Sequence, residues 1–195
     1  MNIVQIGCND GNDDAYKYIS KYKNNIENLV LVEPLTEFNE DLHKRYSGLN
    51  YYIENSIITD TEDKEMAFYV VDGAARNFTE ISSLDSSHIQ KHGQSKIKEM
   101  KLPAMNINQL FEKYNLSTID HLYIDAEGYD ARIIKSINFD KFYIDRIEYE
   151  NLHIDNDDIE KFLHDKGFFR LGKVGKNGWS TLVMNSLSIE ITDYK

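Results

Sequence analysis

The chain has 195 residues with 33 Asp plus Glu against 22 Lys plus Arg, a formal net charge of -11. That length buries one substantial core and is short for two, so one domain over residues 1–195 is expected. The charge sets the surface against nucleic acid, and no apolar run approaches a membrane span or a signal-peptide core. The single cysteine, Cys8, cannot close an internal disulfide, which fits a reducing, cytoplasmic compartment.

Met1 is followed at once by a buried-strand pattern, Asn2-Ile3-Val4-Gln5-Ile6, which leaves no room for a lead-in helix. The expectation is either a minimal enzyme or a domain cut from a longer chain. After the strand Ile3–Ile6 comes a turn rich in Gly, Asn and Asp over Gly7–Asp14, then a helix whose stripe is Ala15, Tyr18, Ile19 and Tyr22. A second strand, Leu29–Val32, ends at Glu33-Pro34, and Leu35, Phe38 and Leu42 mark the next helix. Tyr51–Ile58 reads as a third strand and Met66–Val71 as a fourth.

Asp72–Pro103 sustains no period and is expected to be an irregular excursion, a candidate lid or acceptor-binding segment. Regular structure resumes with a helix bearing Ile107, Leu110, Phe111 and Tyr114, then the strand His121–Ile124. A helix with Ile133, Ile134 and Ile137, the strand Tyr143–Tyr149 and a helix with Ile159, Phe162 and Leu163 ending at Gly167 follow. Phe168–Leu171 and Thr181–Met184 read as a closing hairpin around Gly172–Gly178. Strands alternating with helices predict a mostly parallel α/β sheet covered on both faces, with ligands beyond the carboxyl ends of its strands.

At those ends stand Gly7-Cys8-Asn9-Asp10-Gly11, Glu33, Asn55-Ser56 and Asp125-Ala126-Glu127-Gly128. Gly7 and Gly11 are expected to let the backbone turn and approach a ligand, and Glu33 to accept hydrogen bonds from ribose hydroxyls. A pyrophosphate wants bare amides and no carboxylates nearby, whereas this loop is followed by Asp13 and Asp14. The acids suit an amino group and a cationic sulfonium, which favours S-adenosylmethionine over a nicotinamide dinucleotide.

The ordered set of motifs resembles the FkbM-type methyltransferases. Gln5-Ile6-Gly7-Cys8-Asn9-Asp10-Gly11 matches their D-x-G-A-N-x-G, Val32-Glu33-Pro34 their strand ending in Glu-Pro, and Asn55-Ser56-Ile57-Ile58-Thr59-Asp60 their N-x-A-x-x-D. Asp125-Ala126-Glu127-Gly128-Tyr129-Asp130 matches their D-V-E-G-x-E block, and the similarity runs from Ile3 to about Gly167. The opening acid is replaced by Gln5, whose carbonyl is expected to bond the methionine amine without the ionic contribution. The resemblance implies a Rossmann-like class I methyltransferase sandwich: a seven-stranded, mostly parallel sheet, helices on both faces and a C-terminal antiparallel hairpin. It implies O-methylation of a sugar or glycan hydroxyl, and cofactor contacts from Gln5, Gly7, Asn9, Asp10, Gly11, Glu33, Pro34, Asn55, Ser56 and Asp125. The rivals are a non-sugar small-molecule acceptor or a degenerate fold acting as a binding module.

Methyl transfer needs an acceptor oxygen aligned with the methyl carbon and a group to take the acceptor proton. Asp125 and Glu127 are candidates for base, acceptor ligand or Mg²⁺ site; the alternative is that Asp125 caps the following helix. Glu150 and His153 follow a strand end and form the second pair, histidine being the side chain type suited to acid–base work near neutral pH. His88 and His92 have helical spacing but lack a third ligand and read as solvated. Cys8 reads as a small filler, and Trp179 as an edge-packing anchor rather than an acceptor-stacking ring.

Overall fold

The computed structural model describes residues 1–72, 82–91, 96–175 and 178–188. In chain order the elements are β1 (Asn2–Ile6), α1 (Asp14–Lys21), β2 (Asn28–Val32), α2 (Asn39–Arg45), β3 (Tyr51–Glu54), β4 (Ile57–Thr59) and β5 (Glu65–Val71). Then come α3 (Ser86–Lys91), β6 (Ile97–Asn106), α4 (Ile107–Lys113), β7 (Thr118–Ile119), β8 (His121–Ile124) and α5 (Asp130–Ser136). The last are β9 (Tyr143–Ile144), β10 (Arg146–Glu150), α6 (Asn156–Asp165), β11 (Phe168–Val174) and β12 (Ser180–Asn185).

Seven strands form the main sheet in the order β3-β2-β1-β8-β10-β12-β11. Pairing is parallel from β3 through β10, and β12 runs against both β10 and β11. The middle strands are rich in Val, Ile and Leu on both faces because both faces are covered. Val4, Ile6, Val30, Val32, Leu122 and Ile124 pack with side chains of α4, α5 and α6. On the opposite face Ile3, Leu29, Leu31 and Tyr123 pack with Ala15 and Ile19 of α1 and Leu42 of α2. The chain leaves β1 for β2 on one side and reaches β8 on the other, so the crevice opens where those three strands end. Among the described residues no helix is long and apolar enough to cross a membrane.

Three expectations change. Tyr51–Ile58 is two strands in different sheets: β3 closes the main sheet and β4 joins a second one, β4-β6-β5, to which Met66–Val71 also belongs. The break falls where the Asn55 amide turns to the Glu33 carbonyl at 2.8 Å and the Ser56 hydroxyl to the Glu54 carboxylate at 2.7 Å.

The Asp72–Pro103 stretch is only partly irregular, since it contains α3 and most of β6. Residues 73–81 and 92–95, with His92 and the side chain of His88, lie outside the described residues. Met100, Leu102 and Ala104 alternate with polar residues and pack against Phe68, but Pro103 and the charges between them mask the period. Proline is tolerated because the neighbouring Ala104 N–H bonds Lys64 on the β5 side, so the Pro103 nitrogen faces the other edge, where pairing with β4 starts only at Ala104.

The hairpin forms, but β11 passes through Gly172 to Val174 with a register shift between Arg170 and Gly172. Residues 176–177 of its turn lie outside the described residues.

Candidate active site at the strand ends

The loops after β1, β2 and β8 are stitched to one another by backbone. Gly7 has φ +76, and a Cβ there would sit 1.8 Å from the Asp125 carbonyl oxygen, so only glycine lets the first loop touch the end of β8. The Gly7 and Cys8 N–H groups both donate to the Val32 carbonyl, at 3.0 and 3.2 Å, and the buried Cys8 thiol points to the same oxygen at 3.3 Å. Cys8 is thus the expected filler. Gly11 has another purpose than approach to a ligand: a Cβ there would meet the Tyr46 ring at 2.9 Å, so it packs the loop on α2.

Glu33 is the centre of this arrangement. It is 6% exposed, its N–H donates to the Glu54 carbonyl at 3.0 Å, and its carboxylate accepts the Asn9 and Leu35 N–H groups, each at 2.9 Å. Burial pushes its pKa up to about 7 against those two hydrogen bonds. Each carboxylate oxygen keeps a second lone pair. Asn55 holds the Glu33 carbonyl from behind rather than lining the cleft, whereas Ser56 and Pro34 line it.

Gln5 departs from expectation. Its amide donates to the Asp13 carboxylate at 2.6 Å and its carbonyl accepts the Tyr46 hydroxyl at 3.1 Å, in a buried setting. Gln5 therefore positions Asp13, which lines the cleft; the Asp13 pKa is raised by burial and lowered by its bonds from Tyr16 N–H and Gln5.

The cleft has a volume of about 370 Å³. Gly7, Asn9, Asp10, Glu33, Asp125, Glu127 and Glu150 supply its polar wall, and Leu35, Ile57 and Phe68 an apolar one. A second cavity of about 700 Å³ adjoins it, sharing Asp125, Glu150 and Trp179. Trp179 is 48% exposed at the mouth of both, so it is not an edge-packing anchor.

Asp125 continues the β8 pairing through its N–H to the Ile6 carbonyl at 3.0 Å. It does not cap α5, whose N-cap position is Tyr129. Glu127 takes φ +49, and Gly128 follows at φ +92 with its missing Cβ 3.3 Å from the Cβ of His153. This close approach brings ligand atoms of Glu127, Glu150 and His153 within 4.8 Å of one another. Of the expected metal pair, Glu127 is a member of this grouping and Asp125 is not. The Glu150 Oε2 is buried without a hydrogen-bond partner among the described residues, and burial raises the Glu150 pKa. From the segment before α3, where Ser83 bridges Tyr69 of β5, the Ser83 hydroxyl donates to the Glu127 carbonyl at 3.4 Å.

Asp130 was legible only as the last letter of a motif. It is fully buried, accepting the Ala126 N–H at 3.3 Å and the Glu150 N–H at 3.2 Å, so one carboxyl clamps the loops that carry Glu127 and Glu150. Burial first, then the neighbouring Asp125 and Glu150, push its pKa well above the carboxylate range.

A glycine-turned loop after β1, an acid ending β2 and carboxylates after β8 define an α/β architecture of the nucleoside-cofactor class. The chain matches the methyltransferase FkbM domain over residues 5–169 and belongs to that family. Among solved structures it is similar to methyltransferase FkbM from Methylobacillus flagellatus KT, at 11% identity and a TM-score of 0.55. That likeness concerns the fold; it covers 94% of this chain and 43% of the other, so the chain spans less than half of that protein's length. A comparison with curated proteins gives no match.

Proposed function

We propose that the protein is an S-adenosylmethionine-dependent O-methyltransferase that acts on a hydroxyl of a sugar or glycan in a cytoplasmic setting. The observation that carries the cofactor reading is Glu33, a buried carboxylate at the end of β2 whose two oxygens are oriented by the Asn9 and Leu35 N–H groups. Their remaining lone pairs suit a vicinal diol, and Leu35, Ile57 and Phe68 give a flat base an apolar wall. Asp13 and Asp125 add negative charge along the same cleft, which favours a cationic sulfonium and an amine.

When bound, S-adenosylmethionine supplies a methyl carbon to which the acceptor oxygen bonds while the carbon–sulfur electron pair stays with sulfur. The protein's part is to orient the acceptor hydroxyl and take its proton. Glu127, Glu150 and His153 are the groups for that proton, and the Glu150 Oε2 is buried without a hydrogen-bond partner among the described residues. A second reading has the same three side chains hold a divalent cation that polarises the hydroxyl, as the 4.8 Å grouping of two carboxylates and an imidazole favours.

The test is calorimetry with S-adenosylhomocysteine followed by mass spectrometry of sugar and non-sugar acceptors incubated with S-adenosylmethionine. Micromolar binding, about 8 kcal/mol, and a methyl mass gain on a sugar hydroxyl are expected. Tight nicotinamide-dinucleotide binding without a response to S-adenosylhomocysteine overturns the reading.

A further inference from the structure

The larger of the two cavities, about 700 Å³, shares Asp13 and Asp125 with the cofactor cleft and extends past them to walls with a chemistry of their own. Beyond those two acids, Asp14, Glu148 and Glu150 face it, with Lys17 as the cation among its described lining residues. Lys17 bonds Asp14 at 2.5 Å, and Arg146, two positions before Glu148 on β10, pairs with Asp145 at 3.5 Å. Burial first, then Asp14 and Asp13, push the Glu148 pKa up to about 7, and His121, 3.7 Å from its carboxylate, is no counter-ion to it, since burial drives the His121 pKa down to about 3.

An independent feature points to a ligand there. Tyr123 and Glu148 are register partners on β8 and β10, and Tyr123 also lines the cavity. Its side chain is 6% exposed and stacked on His121 at 3.8 Å, yet its hydroxyl finds no hydrogen-bond partner among the described residues. A buried hydroxyl without a partner costs free energy that a ligand's polar group recovers. At the rim Trp179 offers a half-exposed indole, suited to the C–H face of a sugar ring or to a cation.

We infer that this cavity is the acceptor site and that the acceptor is a hydroxylated compound carrying an ammonium group, of the amino-sugar kind. The inference rests on the methyl-transfer reading. Its acids repel an acceptor bearing carboxylate or phosphate and attract an ammonium. The same acids hold the amine in its protonated form, which has no lone pair to attack with, so the amine anchors the molecule and a hydroxyl is left to receive the methyl group. Because Asp125, Glu150 and Trp179 belong to both cavities, an acceptor anchored in one reaches the other.

The experiment measures binding of methyl glucosaminide, its N-acetyl derivative and methyl glucuronide to the protein loaded with S-adenosylhomocysteine, by calorimetry or ligand-observed NMR. The glucosaminide is expected to bind at least about tenfold tighter than the neutral derivative, the scale of one partly desolvated charge pair, with the glucuronide weakest. Glu148→Gln is expected to erase that ranking without changing S-adenosylhomocysteine affinity or melting temperature, and Glu148→Asp to restore it.

Equal binding of the glucosaminide and its N-acetyl derivative, a preference for the glucuronide, or no binding of any of the three overturns the inference and leaves the methyl-transfer reading standing. A Glu148→Gln variant that loses S-adenosylhomocysteine affinity while keeping the ranking also overturns it, because the acids then serve the cofactor's own amine. Failure of the wild-type protein to bind S-adenosylhomocysteine strikes the methyl-transfer reading itself, and the inference falls with it.

Discussion

The Asp130 carboxyl accepts the backbone N–H of Glu150 at 3.2 Å and that of Ala126 at 3.3 Å, joining the end of β10 to the loop after β8. Both N–H groups need an acceptor, and Asp130 is fully buried, so water cannot substitute. Asp130→Asn keeps the shape but turns a donor toward one of the two amides. It is expected to cost about 1–3 kcal/mol of stability, measured by urea unfolding. Activity should fall as well, since the Glu127 and Glu150 loops lose their common anchor. An Asn variant as stable and active as the wild type would remove Asp130 from the site's scaffold.

Glu33 predicts a pH dependence whose sign follows from its position. Burial raises its pKa from 4.5 to about 7, so the fold tolerates the neutral form better than the charged one. Its contribution to stability is fully present below the ordinary carboxylate pKa and is lost as pH rises through about 7. Ligand hydroxyls, in contrast, donate better to the ionised carboxylate. Affinity for S-adenosylhomocysteine should therefore rise, by up to about tenfold per pH unit below the pKa, and level off above neutrality. Glu33→Gln should bind more weakly with a flat profile from calorimetry at several pH values. A wild-type affinity that falls with rising pH would contradict this account.

The alternating β-α pattern and the nearly continuous Val/Ile/Leu runs made the main sheet readable, because strands buried on both faces advertise themselves without a period. Glu33 was readable too, as an acid ending such a run. β6 was hidden because its core-facing Met100, Leu102 and Ala104 are separated by charges and Pro103. The exchange between Gln5 and Asp13 could not be read, since the pairing crosses a loop whose turn depends on Gly7 and Gly11 meeting β8 and α2. Asp130 escaped for a similar reason: its partners are backbone amides, which leave no mark on the sequence.

Gly128 tests whether the spacing of the two site loops matters. At φ +92 a side chain is strained, by about 1–3 kcal/mol, and a Cβ there lies 3.3 Å from the Cβ of His153. Gly128→Ala should lower the melting temperature and push the His153 loop away from Glu127. Cofactor affinity is expected to persist, because Glu33 and the first loop are untouched, so kcat should drop more than S-adenosylhomocysteine binding. Equal losses in both would show that the loop supports the whole cleft rather than the trio alone.

The trio of Glu127, Glu150 and His153 separates two chemistries. If its members take the acceptor proton directly, Glu150→Gln or Glu127→Gln should keep S-adenosylhomocysteine affinity while kcat on a verified acceptor falls by about a hundredfold, the usual scale for a lost acid–base group. Activity would then ignore EDTA, and the pH–rate profile would lose an ionisation in whichever variant removes the base. If the same side chains hold a divalent cation, the ligand atoms within 4.8 Å of one another act together. EDTA should then abolish turnover, and addition of Mg²⁺ or Mn²⁺ should restore it, with Mn²⁺ the better partner for a site that includes an imidazole. His153→Ala divides the cases further: loss of one cation ligand weakens metal affinity and is answered by excess metal, whereas loss of a base is not. Should Glu127→Gln, Glu150→Gln and His153→Ala all retain full activity, proton removal belongs elsewhere in the cleft, and Asp125, standing at the end of β8 in its wall, becomes the group to change next.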